Sequence, residues 1–157
     1  MRLRQLWILL LILLAVATAC FPSGGRVITN FRCPVDGSIY RDDFGDPRPG
    51  GRVHGGIDMH APEGTPVWAV KSGNVQFALE SLGGLVAYLY ADDGNVYYYA
   101  HMSDNTGSNR RVAQSDELGS VGQTGNATSP HLHFEIRLKG VNGQKMDPYN
   151  TLRNAGC

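Results

Sequence analysis

Two of the chain's five histidines stand in the run "SPHLHFEI", residues 129–136, with one leucine between them. Ser129 precedes Pro130, which biases it towards extended backbone, and the β-branched and aromatic residues that follow favour a strand. Alternation then sends Leu132, Phe134 and Ile136 to one face and His131, His133 and Glu135 to the other. Two imidazoles two residues apart stand about 6.6 Å from each other at the backbone. Both can reach one metal ion, or one can bind it while the other serves the chemistry. The polar face of a half-exposed strand would read the same way, so partners elsewhere must decide.

A second constellation, "RVHGGIDMHAPEGTP", places His54 and Asp58 four residues apart. Gly55-Gly56 and the prolines beyond argue against a helix, leaving an extended or turning loop. Such a loop can bring an imidazole and a carboxylate to one ion, a mixed ligand set that zinc accepts. A glycine-rich turn with solvated polar side chains explains the stretch as well. A third candidate, His101, closes the β-prone run "YYYAHM", where alternation puts it on the face of Tyr97 and Tyr99. A lone histidine at a strand end is more often hydrogen-bonded or exposed than catalytic. His60 stands two beyond Asp58 and is read as a neighbour. Glu135 can orient one imidazole as an acceptor or be a solvated strand glutamate, and is left outside the site.

The elements that must carry these residues are short runs rich in Val, Tyr, Phe and Leu, separated by glycine or Asp-Gly turns: "TPVWAVKSG", "NVQFALES", "GLVAYLYADDGNVYYYAHM", "GSVGQTG" and "PHLHFEIRL". The pattern is all-β. The clearest hairpin turns at Asp92-Asp93-Gly94-Asn95. No segment has helical periodicity, and the polar stretch 103–117 reads as a surface loop.

Residues 1–19 of the 157, "MRLRQLWILLLILLAVATA", join two arginines to an apolar run and a small-residue exit, the pattern of a secretory signal. The ending "VATAC" also resembles a lipobox, in which Cys20 would be lipidated and hold the protein at a membrane face; plain cleavage after Ala19 would release it. Residues 20–30, with Pro, Ser and two Gly, read as a tether, and residues 31–157 as one domain in an exported protein of the cell envelope. Without Arg2 and Arg4, 12 basic residues remain against 14 acidic ones, a net charge of minus two that speaks against nucleic acid as a partner. Cys33 and Cys157 lie near the two ends of the domain and can pair in an oxidising compartment.

Taken together, "FGDPRPGGRVHGGIDMHAPEGTPVWAVKSGNV", "VYYYAHM" and "GSVGQTGNATSPHLHFEI" resemble, in order, the motifs of the M23 peptidases, the lysostaphin or LytM-type zinc endopeptidases that cut peptide cross-links in bacterial cell walls. The resemblance runs from about Asp43 to Ile136. It implies an antiparallel β scaffold with a metal-binding groove, and zinc held by His54, Asp58 and His133. It also implies catalytic assistance from His101 and His131, and a peptidoglycan peptide as substrate. Three protein ligands leave a fourth tetrahedral position for water or a scissile carbonyl. Arg48 resembles an arginine that many family members place before the first ligand, where it can meet a carboxylate of the substrate. A non-catalytic module of the same fold that binds peptidoglycan or an amidase is the alternative, and the full ligand set argues against it.

Overall fold

The computed structural model describes residues 25–157. The expected signal segment 1–19 and Cys20 lie outside the described residues. Among the described residues eleven strands form two antiparallel sheets. The small one pairs β1 (Pro47–Arg48) with β2 (Arg52–Val53). The large one runs β11 (Lys145–Met146), β10 (His131–Arg137), β7 (Val96–Asn105), β6 (Gly84–Ala91), β5 (Gly73–Glu80), β8 (Arg110–Val112). Beside this path, β3 (Ile57–His60) pairs with β10, and β9 (Glu117–Val121) joins β7 to β4 (Pro66–Trp68). Among the described residues no helix is long and apolar enough to cross a membrane.

The alternation expected of β10 holds. Leu132, Phe134 and Ile136 are fully buried, opposite Tyr99 and Tyr97 of β7, and the three rings pack at 5.3 and 6.2 Å from the Phe134 centroid. Aromatic and β-branched residues facing one another across antiparallel strands stabilise such a sheet pair. On the other face His133 lies across from Ala100 and from Asp58 of β3, and Glu135 lies across from Tyr98. One strand therefore supplies the core on one side and the polar groove on the other.

His101 departs from its expectation. Strict alternation would send it into the core with Tyr97 and Tyr99, yet its ring stands on the groove face, 4.8 Å from that of His131. Its backbone is left-handed, with φ of 66°, and the ladder with β6 shifts register here: Tyr99 pairs with Ala87 but Met102 pairs with Leu85. Pairing with β10 stops at Ala100 and pairing with β9 starts at Met102. This is a β-bulge, which turns two consecutive side chains, Ala100 and His101, to one face and returns Met102 to the core. The His101 N–H donates to the Gly83 carbonyl at 2.7 Å, which holds the irregular backbone in place.

Two further expectations need correction. The stretch 103–117 is not one loop, because β7 continues to Asn105 and β8 pairs with the outer edge of β5. Its polarity is that of an edge strand, and Arg111 grips Asp92 with two bonds of 2.6 and 2.5 Å. A helix also exists, α1 (Tyr149–Asn154), following Pro148. Six residues are too few to establish a 3.6-residue periodicity. Within the stretch read as a tether, Ile28 is already buried in the core, and its N–H donates to Thr151 Oγ1 at 3.1 Å.

Cys33 and Cys157 form a disulfide, with 5.2 Å between their Cα atoms and a sequence separation of 124. Closing so long a loop restricts the unfolded chain and contributes about 4–5 kcal/mol in the chain-entropy model. Denaturant unfolding with and without a reductant measures it. The reduced protein is expected to unfold at clearly lower denaturant, and coincident curves would remove the bridge from the account of stability.

Candidate metal centre

His54, Asp58 and His133 converge from three places in the sequence. Asp58 and His133 are direct cross-strand partners of β3 and β10, so the sheet register brings them together. His54 follows β2 in a turn held by its own backbone: its N–H donates to the Asp46 carbonyl at 2.8 Å and its carbonyl accepts from Gly45 at 2.9 Å. His54 Nε2 lies 2.8 Å from His133 Nδ1 and 3.0 Å from Asp58 Oδ1, and the latter two atoms are 2.9 Å apart. The outer bonds decide which ring atoms face inward. His54 Nδ1 sits 2.8 Å from the Asp43 carbonyl oxygen, which only accepts, so Nδ1 carries the hydrogen and Nε2 turns a lone pair inward. His133 Nε2 sits 3.1 Å from the Glu135 carboxylate, so in the neutral ring Nδ1 is the inward acceptor.

Three acceptors facing one another at such distances repel unless a proton or a metal ion lies between them, and the group could hold a metal ion. The donor set of two imidazoles and a carboxylate suits zinc, whose ligand bonds are about 2.0–2.2 Å. The same demand acts on protons. Burial opposes charge on His54, but hydrogen bonds to Asp43 and Asp58 outweigh it and raise its pKa to about 9. Burial likewise pushes the Asp58 carboxyl up, and the bonds from His133 and His54 overcome this and hold it far below the usual carboxylate range. Arg48 adds to that hold: its guanidinium lies 2.7 Å from Asp58 Oδ2 and 3.4 Å from Asp43 Oδ2. The arginine read as a contact for substrate is engaged with a metal-ligand candidate.

The other two site histidines flank this triangle. His131 Nδ1 donates to the Ser129 carbonyl and His101 Nδ1 to the Thr124 carbonyl, both at 2.8 Å, so each ring keeps Nε2 as a free acceptor. His131 Nε2 is 3.7 Å from Asp58 Oδ1. Burial lowers the pKa of both rings, that of His101 to about 4, so both are neutral at pH 7. His60 is exposed beside them, its ring 5.3 Å from that of His131 and outside the triangle.

Sequence reasoning left out Glu135, which is buried and receives Lys145 Nζ at 2.6 Å and Arg137 at 2.7 Å besides His133. Lys145 gave no signal in the sequence, since it reaches Glu135 only through the pairing of β11 with β10.

An antiparallel β scaffold whose groove gathers two imidazoles and a carboxylate, with two neutral imidazoles alongside, is the arrangement of a metallopeptidase. The pattern of peptidase family M23 matches residues 52–148, and the chain belongs to that family. It is 35% identical to the cell division protein DipM of Caulobacter vibrioides over 85% of this chain and 23% of that protein. It is 32% identical to the peptidoglycan DD-endopeptidase ShyC of Vibrio cholerae over 74% of this chain and 25% of that protein. The chain thus spans about a quarter of the length of these curated relatives. Among solved structures, the catalytic domain of the antimicrobial peptidase lysostaphin from Staphylococcus simulans superposes with a TM-score of 0.63. It is 28% identical and is matched over 74% of this chain and 92% of that one.

The bulge that presents His101 depends on Thr124, whose Oγ1 accepts from the Leu85 N–H at 3.0 Å and donates to the Met102 carbonyl at 2.8 Å. Thr124→Val leaves both groups unpaired and is expected to cost about 1–3 kcal/mol in urea unfolding, while Thr124→Ser stays close to the parent. A loss in Thr124→Ser with none in Thr124→Val would show that the methyl group, not the hydroxyl, matters.

Proposed function

We propose that this chain is an exported zinc metalloendopeptidase that hydrolyses peptide cross-links of bacterial peptidoglycan. His54, Asp58 and His133 hold the zinc, and His101 and His131 assist catalysis. The observation that carries the reading is the triangle of three inward acceptors with two further neutral imidazoles on the same groove. Similarity to ShyC, named a peptidoglycan DD-endopeptidase, supports the substrate class. The apolar leader supports export, and labelling with a fatty-acid analogue separates lipid attachment at Cys20 from release after Ala19.

Zinc held at this site supplies Lewis acidity, lowering the pKa of bound water to about 7 and polarising the scissile carbonyl. His131, whose Nε2 is closest to the ligand triangle, takes the proton of the attacking water; the resulting imidazolium then protonates the leaving amine. His101 places a second Nε2 beside it, able to share that proton. The neutrality that burial gives both rings suits them to begin the cycle as bases.

Metal analysis and a digest of purified cell wall test the reading together. About one zinc per chain is expected, with release of new amino termini. His133→Ala is expected to lose both metal and activity. His131→Ala and His101→Ala are expected to keep the metal and lose activity by about 100- to 10,000-fold. Zinc binding with no peptide release from any wall type would favour the non-catalytic binding module instead, and activity surviving both chelation and His101→Ala would sink the catalytic reading.

A further inference from the structure

Gly55 and Gly56, between the two candidate ligands His54 and Asp58, have their own structural reason. A Cβ on Gly55 would fall on the Lys145 side chain and within 3.0 Å of Glu135 Oε1. A Cβ on Gly56 would overlap the Phe134 carbonyl. The turn is bare because a buried carboxylate and its lysine occupy the space beneath it. That carboxylate is shared: Oε1 accepts from His133 Nε2 and from Lys145, and Oε2 accepts from Arg137 Nε at 2.8 Å. Arg137 in turn lies over the Tyr98 and Tyr88 rings, 4.5 and 5.3 Å from their centroids, and both hydroxyls bind Glu80.

We propose that Glu135, given the zinc site proposed above, is a positioning residue that selects Nδ1 of His133 as the metal-binding atom. Lys145 and Arg137 keep it charged and in place. Geometry supports this from both sides. An imidazole with no partner can carry its hydrogen on either nitrogen, and a ring turned by 180° would put carbon Cδ2 where Nδ1 faces the groove. Glu135 forbids the turn by holding Nε2–H at the far side, and two cations fix Glu135 itself. Backbone carbonyls fix His54, His101 and His131 from outside, with the Asp43 carboxylate a further 3.4 Å partner of His54, whereas the outer nitrogen of His133 is fixed by a carboxylate alone, which also makes its inward nitrogen a stronger donor to a metal. Gly55 completes the device by leaving room for Lys145 to reach the carboxylate.

Zinc affinity, measured in the full chain by competition with a chromogenic chelator, tests this without reference to turnover. Glu135→Ala is expected to bind zinc about 10- to 100-fold more weakly, and Glu135→Gln, which retains an acceptor for Nε2–H, by less. Gly55→Ala, which touches no ligand, is expected to weaken binding when made alone, and to weaken it less when made in a Lys145→Ala background. In the metal-free chain, nitrogen NMR of the His133 ring is expected to report the Nε2–H form in the parent and in Glu135→Gln, and a mixture of forms in Glu135→Ala. If Glu135→Ala fails to fold, the Gln variant and the Gly55–Lys145 pair still decide. A parent chain that takes no zinc sinks the metal site and this role with it. A parent that takes one zinc, with folded variants matching it within twofold, overturns the role of Glu135 alone.

Discussion

Repulsion among three inward-facing electron pairs is the constraint around which this molecule is arranged. His54 Nε2, His133 Nδ1 and Asp58 Oδ1 stand about one hydrogen-bond length apart with no hydrogen of their own to share in the neutral state. Left to themselves the rings would turn or the loop would open. Each is prevented by a bond on its outer side: the Asp43 carbonyl for His54, the Glu135 carboxylate for His133, and Arg48 for the second oxygen of Asp58. The scaffold thus supplies the rigidity, and a proton or the proposed metal ion would supply the attraction.

That rigidity has different sources on the two sides of the groove. Asp58 and His133 are fixed by strand register, because β3 and β10 are locked together by the buried Ile57, Met59, Leu132 and Phe134 behind them. A one-residue slip would bury the ligands and expose the core, so the hydrophobic face guarantees the polar one. His54 lies in a turn outside the large sheet and depends on backbone hydrogen bonds to Gly45 and Asp46. Its loop adds little to the core, with Val53 exposed beside it.

Much of this was written plainly in the chain. Alternation in "HLHFEI" separated core from groove correctly, the Asp-Gly turn marked its hairpin, and the three ordered motifs hold the five residues that the fold gathers at one groove. What stayed hidden depended on position in space. Glu135 reads as an ordinary strand glutamate until β11 brings Lys145 to it from ten residues on. Arg48 lies ten residues from Asp58, and nothing in their spacing announces an ion pair. His101 was assigned to the wrong face because period-two counting assumes a regular strand, and no residue in "YYYAHMS" advertises a break; histidine tolerates a left-handed backbone less readily than glycine does.

The bulge at His101 is more than a means of aiming one ring. Residues 96–100 of β7 pair with β10 and residues 102–105 with β9, whose ladder shifts register once more between Met102 and Asp104. The core takes the odd-numbered Tyr97 and Tyr99 before His101 and the even-numbered Met102 after it, and the extra residue is what lets one strand supply both. His101 is therefore a parity switch in the sheet. Adding or removing one residue between Tyr99 and Met102 would turn the side chains on one side of the bulge out of the core, so the length of this strand is specified as tightly as its composition.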